Sequence, residues 1–389
     1  MEHLKRLGYY LKILTCVKRY KGYWIKIEDV ITIVICGVFC GLTDIREIYD
    51  YANSKPARKM LKQTLGIYRI PSYSHFLRIL KMIDSEELNE SFKCWCHWIL
   101  IDIENKVTIA LDGKTIKSTA NMKSYESPIH VVSAVIAEYG ITIGQMAVKS
   151  KSDEIPAVQE LIKLLDINGA VITADALNCQ KKTVKLIIEN KADYVLAVKK
   201  NHNNLYFDIE EIFKYILTDK VEKNKQEFRK NVIEKCEKNR DRVEIRTACV
   251  LYDIDWLDEK EEWENLVSIG MVRLKKEYKD KTTEETRYYL LSKKFTAEEL
   301  IYYTRNEWSV ETMHWLLDVN LKEDKCRVEN NNVQKSLDIT RKIVINTLKI
   351  YKNSANIKSP ISKIMRTCLF DTDELVELLT DTKLLEALQ

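Results

Sequence analysis

The sequence predicts an α/β chain: an all-helical N-terminal block, then a mixed sheet flanked by helices and interrupted by a mostly β insertion. Three observations carry this. Apolar residues recur at helical spacing through about Leu100, with no strand pattern. From Val107 short apolar runs bounded by turn residues alternate with helical periods. Between about 201 and 296 the chain turns highly charged and strand-like pieces return.

The 389 residues allow more than one domain and a well-buried core. Hydrophobic residues make up 46% and charged residues 31%, which marks a globular chain and excludes a disordered one. With 10 Gly and 5 Pro, collagen-like and low-complexity tracts are excluded as well. The expected division is a helical domain over 1–104, then a second domain over 105–389 that contains the insertion at about 201–296 and ends in a basic helical region.

In the first block, helices are expected around Ile25–Leu42, Ile45–Tyr51, His75–Ile83 and Leu88–Leu100. Ile70-Pro71-Ser72 breaks the pattern, with Ser72 or Ser74 suited to cap the helix that follows. The second domain opens with Val107–Leu111, a strand that ends at Asp112-Gly113. Ile129–Ile136 and Ile141–Val148 follow as a hairpin across Glu138-Tyr139-Gly140. A helix over Pro156–Leu165 leads to a buried strand, Ala170–Ala174, which ends at Asp175. A helix over Gln180–Glu189 and a strand over Tyr194–Val198 complete the series. Three strands, helix, strand, helix, strand is the order of an RNase H-like core. In the insertion, Val243–Leu251, Leu266–Leu274 and Arg287–Leu291 read as strands, and Glu298–Leu317 beyond it as one strong helix.

A net charge of +4 is too small to imply nucleic acid by itself. Its distribution is more pointed. Ile339–Phe370 holds no Asp or Glu, but contains Arg341, Lys342, Lys349, Lys352, Lys358, Lys363 and Arg366. The N-terminal stretch is basic too, from Lys5 and Arg6 through Lys21 to Lys26, and the stretch from Asp371 to Gln389 is acidic. Basic runs of this kind neutralise phosphates or form solvated helical faces. The 10 cysteines include no Cys-x-x-Cys pair, and Cys94-Trp95-Cys96-His97 has poor spacing for a closed zinc site. With no signal-peptide pattern, reduced thiols and a cytoplasmic location are expected. Val30–Leu42, the longest apolar run, falls short of the roughly 20 residues that cross a bilayer, so no membrane partner is expected.

Asp112 and Asp175 each directly follow a buried-strand run. In an open α/β sheet such positions face the crevice where ligands bind. If the two strands are adjacent, the carboxylates can share divalent cations suited to phosphoryl transfer, and Mg2+ favours such oxygen donors. Either Asp can equally open a turn. A third acid would come from the following helix, where Glu307, Glu311, His314, Trp315 and Asp318 fall roughly on one face. Spacing alone does not choose among Glu307, Glu311 and Asp318.

An ordered set of short motifs runs along the chain. It comprises Ile70-Pro71-Ser72 with Phe76 and Arg78; Asp112-Gly113-Lys114; Thr173-Ala174-Asp175-Ala176-Leu177 with Gln180; and Val198-Lys199-Lys200-Asn201. Arg240, Arg242, Glu244 and Arg246 follow, then Trp308-Ser309-Val310-Glu311, His314-Trp315-Leu316-Leu317-Asp318-Val319, Glu323-Asp324 and a helix from near Leu337. The set resembles bacterial insertion-sequence transposases of the H-repeat-associated type over nearly the whole chain. The resemblance implies a DDE transposase acting with Mg2+ (Mn2+ as substitute) on double-stranded DNA, at its element's terminal inverted repeats and a target site. Nucleoid association and a homodimer that pairs two ends on DNA follow from the same likeness. It maps the catalytic and metal-binding acids onto Asp112, Asp175 and Glu311. Lys114, Lys199 and Asn201 fall at family positions, and with Arg341 and Lys342 on the basic helix they are the expected DNA-binding residues. The chain departs from its relatives at several places: Glu307 stands where His is usual, Thr312 for Asn, His202 for Gln, Asn178 for His and Asp153 for Asn. These changes spare the triad.

Overall fold

The computed structural model describes residues 25–100, 107–120, 128–217, 232–239 and 241–380. The basic N-terminal run through Lys21 and the motif residue Arg240 lie outside the described residues. The described part of the helical block comprises α1 (Ile27–Phe39), α2 (Ile45–Ala52), α3 (Lys55–Gln63), α4 (Tyr73–Met82) and α5 (Ser85–Leu100). Local chemistry starts several of these. Asp44 accepts the N–H groups of Arg46 and Glu47 ahead of α2, and Ser54 accepts that of Ala57 ahead of α3. Ser72 is the cap residue of α4, without a side-chain bond.

The core follows with β1 (Thr108–Thr115), β2 (His130–Ile136), β3 (Ile141–Val148), α6 (Glu154–Leu164), β4 (Val171–Ala174), α7 (Lys181–Glu189) and β5 (Asp193–Val198). β1, β2 and β3 form an antiparallel meander, while β4 runs parallel to β1 and β5 parallel to β4. With α6 packed on β2 and β3, this is the RNase H-like arrangement that the element order predicts.

The insertion contains α8 (Asn203–Leu217), β6 (Val232–Lys238), β7 (Arg242–Leu251), β8 (Ser268–Tyr278) and β9 (Thr282–Leu291). It extends the core sheet. β9 pairs antiparallel with β5, from Val195 opposite Leu291 to Val198 opposite Tyr288. Among the described residues, one nine-stranded sheet results, in the order β3-β2-β1-β4-β5-β9-β8-β7-β6. β6 escapes a sequence reading because it is a charged edge strand with no fully buried residue.

The helix expected over Glu298–Leu317 is two helices, α9 (Ala297–Asn306) and α10 (Ser309–Val319). Glu307 and Trp308 keep right-handed dihedrals, but the Trp308 N–H bonds back to Arg305 rather than one residue further, which tightens the turn. No Gly or Pro marks this break. The described residues end with α11 (Asn331–Ser354), α12 (Ile361–Phe370) and α13 (Thr372–Thr380).

α11 is buried on nearly every side, between α1 and α5 of the helical block and β3 of the sheet. The helical block shares one continuous apolar core with the sheet domain, from Ile27 to Leu379. Polar contacts seal the join: Asn89 Nδ2 donates to the Gln145 carbonyl at 3.0 Å, and Asn346 Nδ2 to that of Thr142 at 2.7 Å.

One contact on α11 has a measurable cost. Lys349 Nζ donates to the Gly140 carbonyl at 2.6 Å, and burial pushes its amine down to about 8. Gly140 has φ +65, and a Cβ there would lie 2.4 Å from Nζ, so the hairpin turn requires glycine. Between about pH 8 and the ordinary lysine value of 10.5, the unfolded chain binds more protons, so stability rises with pH in that window. Below it the penalty is fully present. Lys349→Met should therefore raise Tm by about 2–4 °C at pH 7, with the gain shrinking above pH 8. A lower Tm at pH 7 would show that the Gly140 bond outweighs the burial penalty.

Candidate active site

The register of β1 against β4 brings the two aspartates together. Leu111 pairs with Ala174, so Asp112, still within β1, and Asp175, just past the end of β4, each follow this last pair, and the Asp175 carboxylate is close enough to act on Asp112. The pairing with β4 stops there, although β1 continues to Thr115 beside β2 with Asp112 opposite Ser133. Asp112 thus lies within a strand, where burial gives way to partial exposure, and not after its end.

Asp175 opens a tight turn. Its Oδ1 accepts the N–H groups of Leu177 at 3.1 Å and Asn178 at 3.3 Å, and the Asn178 side chain at 3.0 Å. Burial pushes Asp112 up to about 7. The Gly113 N–H opposes this, while the carboxylates of Asp175, Glu154 and Glu311 add to it. Glu307 is likewise pushed to about 7, chiefly by burial. Arg287 pulls it down, and Asp175, Glu311 and Asp112 push it further up. Asp112, Asp175, Glu307 and Glu311 therefore act on one another as one acidic cluster. Asp318, the third helical candidate, is withdrawn from it by an ion pair to Lys114 at 2.5 Å. The acids converge without closing into a cage: among the described residues, no three His, Cys, Asp or Glu stand in a metal-holding arrangement. The donors are nevertheless all carboxylate oxygens, and burial, with a smaller push from their mutual repulsion, drives two of them toward protonation. That chemistry fits a hard divalent cation.

Beside the acids, His314 places Nδ1 3.7 Å from Asp112 Oδ2. Burial, with Lys342 and Lys114 nearby, pushes its ring down to about 3, so it is neutral there. Next to Glu307 opens a cavity of about 270 Å³ lined by Arg246, Arg287, Arg305 and Trp308 among others. Its arginines are paired, Arg246 to Glu244, Arg287 to Glu285 and Arg305 to Glu237.

The expected DNA-contacting cations divide sharply. Lys199 is exposed at the end of β5. Asn201 holds that segment to the Asp175 turn through a 3.0 Å bond to the Ala176 carbonyl. Lys114 is largely buried, with Nζ 2.5 Å from both Asp318 and Glu323. Arg341 and Lys342 correct the expectation of a basic helix gripping phosphates. Each is 2% exposed. Arg341 lies 3.7 Å from Glu323, and Lys342 bonds Asp338, Gln145 and Ser133. α11 is enclosed by packing on nearly every side, and these two cations face Glu323 and Asp338 inside the fold. Sequence reasoning assigned no role to Glu154 and His130, which meet at 2.9 Å behind β1. A His in an otherwise apolar strand and a Glu at a helix start were the available signals.

The sequence family described as Transposase DDE domain matches residues 104–347. The chain belongs to this family. The transposase assignment is supported along the rest of the chain. A second family, described as DDE_Tnp_1-associated, matches residues 10–96. The H repeat-associated protein YhhI of Escherichia coli (strain K12), assigned as a transposase, is 30% identical over 391 residues, covering 98% of this chain and 99% of its own. YncI of Escherichia coli O157:H7, also assigned as a transposase, is 30% identical over 373 residues, 93% of this chain and 92% of its own. Among solved structures, a piggyBac transposase synaptic complex with hairpin DNA aligns at 12% identity and a TM-score of 0.41, over all of this chain and 80% of that one. The DDE transposase, a nucleic-acid-processing enzyme of a mobile element, has among its described residues no helix long and apolar enough to cross a membrane.

Proposed function

We propose that this transposase cleaves the ends of its own insertion sequence and joins them to target DNA, with Asp112, Asp175 and Glu311 holding divalent cations, Mg2+ in the first instance. The observation that carries the reading is the paired register of Asp112 and Asp175, with Glu311 acting on the same cluster. Bound there, two cations supply charge neutralisation at the phosphate and ease deprotonation of the attacking hydroxyl.

The chain's own residues do the rest. Asp112 and Asp175 are fixed by adjacent strands, and Asp175 is further held by its three N–H donors. In the first step a water oxygen bonds phosphorus at the element's end and frees a 3′-hydroxyl. In the second that hydroxyl bonds a target phosphorus and displaces a target 3′-oxygen. Exposed Lys199 offers a phosphate contact beside the acids, one that positions the backbone without reading bases. Terminal inverted repeats, the target duplex, a homodimer pairing two ends, and action at the nucleoid complete the proposal.

A duplex labelled at its end and carrying the element's terminus, incubated with Mg2+ and a supercoiled target, tests it. The expected result is label first in a nicked product and then joined to the target. Nicking without joining would make the chain a nuclease, and neither product would make it a non-catalytic DNA-binding protein.

A further inference from the structure

Behind the acids, a line of polar side chains, buried at its centre, runs from β1 through β2 and α6 to the turn after β4 and ends on Asp175. The Thr115 hydroxyl on β1 meets His130 Nδ1 on β2 at 2.9 Å. His130 Nε2 meets Glu154 Oε2, at the start of α6, at 2.9 Å. The Asn178 amide, just after β4, donates to Glu154 Oε1 at 2.9 Å and to Asp175 Oδ1 at 3.0 Å. His130 and Glu154 are 2% exposed and Asn178 is fully buried.

We infer that Glu154 and Asn178 are positioning residues for Asp175: Glu154 orients the Asn178 amide, and that amide fixes which carboxylate oxygen Asp175 turns toward the acidic cluster. This rests on the proposed cation-holding role of Asp175. Three N–H donors converge on Oδ1 of Asp175. Among the described residues Oδ2 accepts none and is the oxygen left for a ligand. Asn178 can serve only in its observed orientation. Both amide hydrogens point at carboxylates, and a flipped amide would set its own oxygen against both. The cost is visible, since Asn178 Oδ1 is buried without a partner, an arrangement that disfavours the fold unless the bridge is needed. Gly113 completes the case. A Cβ at this residue, the one after Asp112, would come 2.4 Å from His130 Nε2 and 2.5 Å from Glu154 Oε2, so the line passes directly behind the acid-bearing strand. Despite burial, His130 and Asn178 hold the Glu154 carboxyl below its ordinary range, ready to accept from both.

The test is Mn2+ binding to the full chain by titration calorimetry, with thermal unfolding in chelator measured alongside. Glu154→Leu and Asn178→Leu should each weaken Mn2+ by about 10–100-fold, the usual loss when a partner behind a metal ligand is removed. Glu154→Gln, which keeps an acceptor for Asn178 and offers a donor to His130, should stay within a few-fold of the parent. If Glu154→Leu does not fold, Asn178→Leu, which leaves the His130–Glu154 pair in place, decides the matter. Parental Mn2+ affinity in folded Asn178→Leu, alongside weakened binding in Asp175→Asn, would overturn the relay. Unchanged affinity in Asp175→Asn would instead overturn the cation reading of Asp175, and the relay with it.

Discussion

Replacing Asp112 by Asn should abolish strand cleavage while leaving DNA binding largely intact. The change is nearly isosteric, so β1 keeps its pairing with β2 and β4. What goes is one of two neighbouring carboxylates, the one that Asp175, Glu154 and Glu311 repel. Loss of a partner behind a metal ligand costs about 10–100-fold, and loss of the ligand itself should exceed that, on the order of 10³-fold in cleavage rate. Binding should hold or tighten, because an acid facing phosphate has been neutralised. Cleavage and gel-shift assays on one end-bearing duplex separate the two. Cleavage by the variant at the parental rate would remove Asp112 from the chemistry.

The largest effect on stability is expected at Lys342. Its ammonium is 2% exposed and bonds Asp338, Gln145 and Ser133. Lys342→Met leaves Asp338, equally buried, without its cation, and removing one partner of a buried pair costs about 3–5 kcal/mol. DNA affinity of the folded fraction should keep the parental salt dependence, because no phosphate contact is lost. Lys199→Ala should do the reverse, with the melting curve unmoved and the salt slope reduced by about 1. A reduced salt slope in Lys342→Met, with stability retained, would return α11 to the DNA face.

That contrast marks where the sequence is legible. Apolar runs ending at Asp112 and Asp175 were visible because a strand buried on both faces must be apolar until it emerges. Their common register was not visible, since pairing depends on partners some 60 residues apart. Helical spacing left Glu307, Glu311 and Asp318 open. The fold removes Asp318 through Lys114 and draws Glu307 in beside Glu311, and both outcomes depend on tertiary contacts. Arg341 and Lys342 misled because a linear charge run says nothing about enclosure, although Ile343-Val344-Ile345 beside them signals burial. The Glu154–Asn178 bridge is hidden for a related reason. Its members lie on α6 and after β4, and a Glu at a helix start is too common a pattern to point to Asn178.

Asp112, Asp175 and Glu311 are the proposed cation ligands. Anomalous scattering from crystals soaked in Mn2+ tests this most directly. A peak within reach of both Asp112 and Asp175, with Glu311 among its ligands, is expected. A peak that takes Glu307 in place of Glu311, or one away from both aspartates, would contradict the assignment.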